Sequence, residues 1–188
     1  MVVLTGSIAT GKSSTCNFLK REGYEIVDAD KIAKEVINKG AIEALFGPKY
    51  IKNGDIDREA LGNLIFKDAK KREILNNYIH PLIREKVYKI VAKLERESKR
   101  YIVDIPLYFE GGGYDASIVA LVYCPKDEQI KRLIQRNDLN IDEAIRRVEA
   151  QMNIEEKREK ADYIIDNSKG LGNLEAESKK FIKYLESR

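Results

Sequence analysis

Five short apolar runs along the chain predict β-strands. They are rich in β-branched residues and nearly free of polar positions, which is typical of strands covered on both faces. The predicted strands lie at 2–4, 24–27, 101–105, 117–123 and 162–166. Helical segments separate them, so the pattern predicts an α/β fold with a parallel sheet and helices on both sides.

A long helical region lies between the second and third predicted strands. Its apolar residues recur every three or four positions and form one stripe, with Lys, Arg and Glu on the opposite face. The stripe consists of Ile79, Ile83, Val87, Ile90 and Leu94. The earlier segment FGPKYIKNGD, 46–55, contains two glycines and a proline, which predict turns rather than helix. We therefore expect a helical insertion that carries a loop.

Three further helices are predicted after the fourth strand. Pro125 can open the first, at about 126–137. Asn140 or Asp142 caps the second, whose apolar line consists of Ile141, Ile145, Val148 and Met152. The last helix, 173–186, is interpreted as structural.

Charge and composition exclude several classes of protein. The 34 basic and 31 acidic residues are too evenly balanced to indicate a binder of nucleic acids or membranes. The clusters KDAKKR, 67–72, and EEKREK, 155–160, lack interleaved aromatic residues, so we interpret both as solvated helix faces. Without a membrane-length apolar run or a signal-peptide pattern, we expect a cytoplasmic protein, in which Cys16 and Cys124 are buried, unpaired thiols.

The stretch GSIATGKSS, 6–14, follows the first strand and precedes a helical segment. Gly6, four residues and then Gly11, Lys12 and Ser13 form a Walker A pattern, which is a strong signal in this context. Its glycines let the backbone curl around a phosphate, the N–H groups attract the anion, and Lys12 adds a positive charge. The Ser13 hydroxyl can bind Mg²⁺.

Two aspartates, Asp28 and Asp30, follow the second predicted strand in the sequence VDAD. In an extended chain this spacing places both carboxylates on the same side, at the sheet edge where α/β proteins bind ligands. Asp30 is the candidate base for an attacking hydroxyl. Alternatively, one aspartate caps a helix that begins at Lys31.

The ordered motifs GSIATGKSS, VDAD, IHPLI, DIPLYFE, RLIQRND and ADYIIDN resemble the dephospho-CoA kinase family over roughly residues 1–170. The resemblance implies a P-loop NTPase fold with a five-stranded parallel core at 1–39, 99–125 and 161–188. It also implies a helical CoA-binding insertion at 40–98 and a lid at 126–160. The implied reaction transfers the γ-phosphoryl group of ATP to the ribose 3′-hydroxyl of dephospho-CoA, which completes coenzyme A biosynthesis and releases ADP.

The resemblance also assigns roles to residues. Catalytic roles fall to Lys12, Asp30 and Arg136. ATP would contact Gly6, Ile8, Ala9, Thr10, Gly11, Lys12, Ser13, Ser14, Arg136 and Asn167. Dephospho-CoA would contact Asp28, His80, Pro81, Pro106, Leu107, Phe109 and Glu110. Mg²⁺ would be held by Ser13 and by Asp104, which resembles a Walker B acid.

Several of these residues also have structural interpretations. Asp104 could be a structural strand-end aspartate, His80 a helix-packing residue, and Asn167 a turn residue. The roles of Arg132, Arg147 and Gln151 stay open, because charged helix faces are usually only solvated.

The chain departs from the family pattern at four places. Ser7 replaces a common Gly and Thr10 a common Ser, Asn137 is inserted after Arg136, and the turn NSKG is one residue longer. None of these changes removes a phosphate-binding group.

Two rival functions remain, a nucleoside monophosphate kinase and a nucleotide-dependent switch. The first predicts a base-reading pocket, for which the sequence has no signature, and the GTP version of the second lacks a guanine-reading Asn-Lys-x-Asp motif. We expect a monomer that acts on small molecules, with no nucleic-acid or membrane partner.

Overall fold

A five-stranded parallel sheet forms the centre of the fold. The computed structural model describes residues 1–188, apart from the side chain of Leu171. Its strands are β1 (Val2–Gly6), β2 (Glu25–Asp28), β3 (Ile51–Lys52), β4 (Asp55–Ile56), β5 (Tyr101–Asp104), β6 (Ile118–Tyr123) and β7 (Tyr163–Asp166). The large sheet has the order β2-β5-β1-β6-β7, and every neighbouring pair in it is parallel. All five of its strands arise from the apolar runs, so the predicted fold class is confirmed.

Helices fill most of the chain between the strands. In chain order they are α1 (Lys12–Arg21), α2 (Ala29–Val36), α3 (Lys39–Phe46), α4 (Arg58–Lys67), α5 (Ala69–Arg96), α6 (Tyr108–Gly111), α7 (Lys126–Asn137), α8 (Ile141–Glu149), α9 (Ile154–Lys160) and α10 (Leu171–Glu186). A single 3₁₀ turn, Pro48–Tyr50, precedes β3.

The chain divides into two compact units. The first unit comprises Met1–Asp28 and Val91–Arg188, and the second comprises Ala29–Ile90. The predicted insertion at 40–98 overlaps the second unit from residue 40 to residue 90, and the domain boundaries themselves stay a prediction.

The core of the first unit lies on both faces of the sheet. On one face, α1 and α10 pack on the strands through Phe18, Leu19, Leu174 and Phe181. On the other face, Leu121 and Tyr123 of β6 pack against Ile154 of α9. Successive β6 residues alternate between these layers, which explains why a continuous apolar run is needed there.

Strand order places a binding crevice at the end of β1. From β1 the chain continues to β2, on one side of β1, and β5 then fills the position between these two strands. After β5 the chain crosses to β6, which lies on the other side of β1. Ligands of open α/β sheets bind outside the carboxyl ends of strands at such a reversal. β1 therefore delivers the residues that follow it, beginning with Ser7, to this crevice.

Two details of the sequence prediction were wrong, and one short hairpin was missed around a turn that was predicted. The segment 46–55 contains part of a hairpin, β3 paired antiparallel to β4, because Asn53 and Gly54 both have positive φ, 52° and 84°, as a type I′ turn requires. Helix α2 begins at Ala29 rather than Lys31. Finally, α8 ends at Glu149, before Met152, and Ile141 is 60% exposed at its first turn, so neither residue belongs to a buried helical line.

Candidate active site

The predicted phosphate loop lies between the end of β1 and the start of α1. Thr10 closes the loop, because its N–H and its hydroxyl both donate to the carbonyl oxygen of Ser7, at 3.3 and 2.9 Å. Within the described part of the chain, no side chain caps α1, and its first turn carries no acidic residue. Unpaired N–H groups at a helix N-terminus attract anions, so this turn offers a phosphate site.

Close packing explains both glycines of the loop. A Cβ atom on Gly6 would lie 2.8 Å from Oγ1 of Thr10 and 3.1 Å from the carbonyl oxygen of Val122. Gly11 has a φ of +101°, and a Cβ there would lie 2.2 Å from Nδ2 of Asn167. Neither position has room for a side chain, so the Walker A spacing reflects steric need as well as phosphate binding.

Lys12 and Asp104 form an ion pair beside the loop. Nζ of Lys12 lies 2.5 and 2.7 Å from the two carboxylate oxygens of Asp104. The thiol of Cys16 donates to the same carboxylate at 3.4 Å. Burial raises the pKa of Cys16 to about 12, with the Asp104 charge adding to the effect, so this thiol stays protonated. Three groups thus meet at the carboxyl end of β5.

Asn167, directly after β7, holds the other side of the loop. Its side-chain N–H donates to the backbone carbonyl oxygen of Thr10 at 2.7 Å. The backbone carbonyl oxygen of Asn167 accepts from Nη2 of Arg132 at 2.8 Å. Arg132 also pairs with Glu128, at 3.0 Å from Nε to Oε1. Arg132, whose role the sequence left open, therefore braces the residue that contacts the loop.

The segment between α8 and α9 contacts the loop from a third direction. Oε1 of Gln151 accepts from the N–H of Ile8 at 2.8 Å, and the N–H of Met152 donates to Oε1 of Glu110 at 3.1 Å. Nζ of Lys157, a side chain with no exposed area, lies 2.6 Å from the same Glu110 oxygen. The interpretation of EEKREK as a wholly solvated face is therefore wrong for Lys157, which lies one turn after the buried Ile154 on the same side of α9.

Two arginines of the predicted lid lie at the surface. Nε of Arg136 donates to Oδ1 of Asn137 at 2.9 Å, and Nη2 of Arg147 donates to Oε1 of Glu143 at 2.7 Å. Both arginines are exposed. Contact of Arg136 with a nucleotide stays a prediction.

The residues after β5 were predicted to line the acceptor site. The carbonyl oxygen of Pro106 accepts from the Thr5 hydroxyl at 3.1 Å, which ties this segment to β1. Leu107 is 45% exposed, and the ring of Phe109 packs edge-on against that of Tyr108. An apolar surface is thus available next to Asp104.

Asp28 and Asp30 occupy different elements. Asp28 ends β2 in register with Asp104 of β5, whereas Asp30 is an exposed residue in the first turn of α2. Because the helix begins between them, the expected same-side spacing of an extended chain does not apply. Asp30 lies inside α2 and so cannot be its N-cap. If an aspartate caps this helix, it is Asp28, which directly precedes it.

His80 and Pro81 belong to the second unit, where both lie inside α5. His80 is half-buried and Pro81 is exposed. Burial lowers the pKa of His80, and the nearby Arg84 lowers it further, which favours a neutral imidazole. Their contact with substrate stays a prediction.

Oxygen donors suitable for Mg²⁺ are present beside the loop. Asp104 supplies a carboxylate, and the exposed Ser13 supplies a hydroxyl in the first turn of α1. Mg²⁺ is usually held by one or two such groups together with the substrate phosphates. The donor set therefore fits magnesium, although no group of three or more metal-binding side chains occurs among the described residues.

Both cysteines are free and buried, as predicted. Burial raises the pKa of Cys124 to about 11, with nearby acidic residues opposing the lowering effect of Arg132. Within residues 1–188 as described, none of the helices combines the length and apolar character that a bilayer span requires.

Comparison with known proteins identifies a family that this chain resembles over most of its length. A sequence model described as dephospho-CoA kinase matches residues 1–173. The dephospho-CoA kinase of Helicobacter pylori strain J99 is 41% identical over 189 residues, which cover 98% of this chain and 96% of that protein. A crystal structure from Thermus thermophilus superposes with a TM-score of 0.81 at 31% identity and covers 98% of this chain and 96% of its own. The dephospho-CoA kinase from Campylobacter jejuni gives a TM-score of 0.76 at 34% identity with the same coverages. The predicted P-loop kinase fold is thereby confirmed.

Proposed function

The chain belongs to the dephospho-CoA kinase family, and from this membership we propose that it phosphorylates the ribose 3′-hydroxyl of dephospho-CoA with ATP. The products are coenzyme A and ADP. The observation that carries the proposal is the phosphate loop at the end of β1, with Lys12 paired to Asp104 at the neighbouring strand end.

On the donor side, the loop from Gly6 to Ser14 binds the ATP phosphates. Apart from those of Ile8 and Thr10, which donate to Gln151 and Ser7, the N–H groups of the loop and of the first turn of α1 point to the oxygens. Lys12 neutralises charge on the β- and γ-phosphates. Ser13 and Asp104 would hold Mg²⁺, which would supply further charge neutralisation. Arg136 approaches the phosphates when α7 and α8 close, and Asn167 lies next to the adenine.

On the acceptor side, the 3′-oxygen attacks the γ-phosphorus while its proton passes to the carboxylate of Asp30. A new bond forms between the 3′-oxygen and phosphorus, the bond from the γ-phosphorus to the bridging oxygen breaks, and ADP leaves with that electron pair. Dephospho-CoA is bound by Asp28, His80 and Pro81 and by the segment after β5, with Pro106, Leu107, Phe109 and Glu110.

A product assay tests the proposed reaction. The protein is incubated with ATP, Mg²⁺ and dephospho-CoA, and the products are separated. Formation of coenzyme A and an equal amount of ADP is the expected result. Phosphorylation of a nucleoside monophosphate without coenzyme A would favour the rival kinase. Slow ATP hydrolysis that dephospho-CoA does not accelerate would favour the switch.

Two variants separate the donor and acceptor roles. Lys12→Ala should weaken ATP use, because the phosphates lose their fixed positive charge. Asp30→Asn should leave ATP binding nearly unchanged and lower kcat by about 10²-fold, the usual contribution of a general base. Asp142→Asn is the matched control, because Asp142 is also an exposed aspartate in the first turn of a helix. Normal turnover by Asp30→Asn would refute the assignment of the base.

A further inference from the structure

Four residues lie between α8 and α9, and the last three of them, which we call the α8–α9 junction (Gln151–Asn153), contact separate parts of the first unit. Gln151 accepts from the Ile8 N–H in the phosphate loop at 2.8 Å. Met152 donates its N–H to Glu110, after β5, at 3.1 Å. Asn153 accepts from the Glu155 N–H at 2.9 Å and so caps α9. One short segment thus joins the phosphate loop, α6 and α9.

From these contacts we propose that Gln151 is a positioning residue for the phosphate loop, an inference that rests on the proposed kinase function. The loop needs such support, because Ala9 has a φ of +61°, in the left-handed region that residues other than glycine rarely adopt. The Gln151 hydrogen bond fixes the preceding residue, Ile8. It therefore holds the entry of the loop in the conformation from which the later N–H groups meet the phosphates.

A buried ion pair keeps Gln151 in place. The Lys157 side chain is completely buried, and its Nζ lies 2.6 Å from Oε1 of Glu110. Because a buried charge is strongly unfavourable without its partner, Glu110 is held at this position. The same carboxylate oxygen accepts the N–H of Met152, the residue after Gln151. The backbone that carries Gln151 is thus anchored independently of the loop.

The hydrogen bond, rather than tight packing, directs the Gln151 side chain. Gln151 lines a cavity of about 270 Å³ together with Ser7, Gln129 and residues at the end of α8. In the described part of the chain, Oγ of Ser7 and Oε1 of Gln129 are buried without a hydrogen-bond partner. The Gln151 carboxamide therefore has room to turn, and a side chain of equal length without an acceptor oxygen would release Ile8.

The catalytic consequence follows from the position of Ile8. Its N–H is occupied by Gln151 and is not offered to a phosphate. Loss of this bond therefore does not remove an ATP contact, but it loosens the loop that orients the γ-phosphate. Small errors in the position of a reacting group lower the rate of the chemical step. The expected defect is in kcat more than in KM for ATP.

Gln151→Met tests the proposal, because methionine keeps the length of the side chain and removes the acceptor. The Ile8 amide should exchange with solvent roughly fivefold faster by ¹⁵N NMR, and kcat should fall by about threefold to tenfold, the usual effect of one lost hydrogen bond. KM for ATP should stay within about twofold, and Tm should fall by no more than about 2–4 °C, the shift that one hydrogen bond of about 1 kcal/mol gives in a chain of this size. Gln151→Glu retains an acceptor and should restore protection of the Ile8 amide, while its charge raises KM for ATP.

Glu149→Gln is the control, because Glu149 lies two residues earlier, lines the same cavity and pairs with Lys126 at the surface rather than with the loop. It should behave as the wild type in all measurements. Unchanged exchange of the Ile8 amide in Gln151→Met would overturn the proposal, as would an equal loss of kcat in the control or a fall in Tm that parallels kcat. If the wild type forms no coenzyme A, only the proposed function fails, and the Ile8 exchange rate then decides this inference.

Discussion

Gly11 shows how tightly the phosphate loop is built against the end of β7. Nδ2 of Asn167 lies 2.2 Å from the point that a Cβ on Gly11 would occupy. The same nitrogen donates to the carbonyl oxygen of Thr10 at 2.7 Å. The Asn167 amide thus fills the space beside Gly11 and also forms a hydrogen bond with the backbone of the loop.

Gly11→Ala should destabilise the protein by about 2–4 kcal/mol, from the strain of a positive φ and the displaced Asn167 hydrogen bond. Urea unfolding measures this change. Asn167→Ala removes the clashing amide, so the double variant should be more stable than the sum of the two single changes predicts, by about 1 kcal/mol. Strictly additive free energies of unfolding would show that Asn167 does not limit residue 11.

His80 offers a second prediction for a single residue, because it is the one histidine of the chain and its NMR signals need no assignment. The midpoint of its NMR titration should lie below the ordinary histidine pKa of about 6.5, since burial and the charge of Arg84 both oppose the charged form of His80. As the pH falls, His80 therefore takes up its proton at a higher pH in the unfolded chain than in the folded one. Stability should therefore fall as pH drops through about 6.5 and level off below the folded pKa.

Arg84→Gln should raise the His80 midpoint in part, because burial, the larger cause, remains. Lys89→Gln is the control, since the Lys89 amine pairs with Glu85 at the surface. A wild-type midpoint at or above the ordinary histidine pKa would contradict this prediction.

At the scale of elements, the sequence predicted those features that depend on residues close together in the chain. The strands of the large sheet were found because residues on both of their faces must be apolar, as Ala120 and Leu121 on opposite faces of β6 show. The phosphate loop was found because the Walker A spacing is a local pattern, although the contacts that leave no room for a side chain at Gly6 and Gly11 include the distant Val122 and Asn167. The β3–β4 hairpin was missed, although Asn53-Gly54 between Ile51 and Ile56 is a hairpin signal.

The missed site residues depend on contacts between distant parts of the chain. Lys157 is buried because α9 packs on β6 and brings it to Glu110, 47 residues earlier. Gln151 meets Ile8 across 143 residues. A charged or amide residue on a helix is usually solvated, so no local pattern separates these positions from the others. The junction could be predicted only after the packing of the layers was known.

Helix α10 provides a prediction at this scale. Leu174 and Phe181 lie seven residues apart on one face of α10 and are almost fully buried in the core that contains Leu4 and Ile165. Leu174→Ala should lower the free energy of unfolding by about 2–5 kcal/mol, because it leaves a cavity. Glu175→Ala, which removes an exposed pair with Arg21, should change it by less than about 1 kcal/mol. Similar losses in both variants would argue against docking of α10 on the sheet.

At the scale of the whole molecule, charge is abundant but nearly balanced. The chain carries 34 basic and 31 acidic residues, and most ion pairs in the described structure join exposed side chains. Three pairs join less exposed side chains: Lys12–Asp104 at 15% and 10%, Lys157–Glu110 at 0% and 23%, and Arg132–Glu128 at 21% and 35%. Folding therefore depends little on screened electrostatics, whereas the proposed phosphate binding uses the charge of Lys12 directly.

Added salt should consequently have little effect on the stability of the protein but should weaken nucleotide binding. Raising NaCl from about 0.05 to 0.5 M shortens the Debye length severalfold. Because exposed pairs contribute little, Tm should shift by no more than about 2–3 °C. KM for ATP should rise over the same range, because salt screens the attraction between Lys12 and the polyphosphate. Lys126→Gln removes an exposed lysine that pairs with Glu149 and should leave both responses unchanged. A large fall in Tm with no change in KM would show that surface ion pairs, rather than the apolar layers, hold the sheet and its helices together.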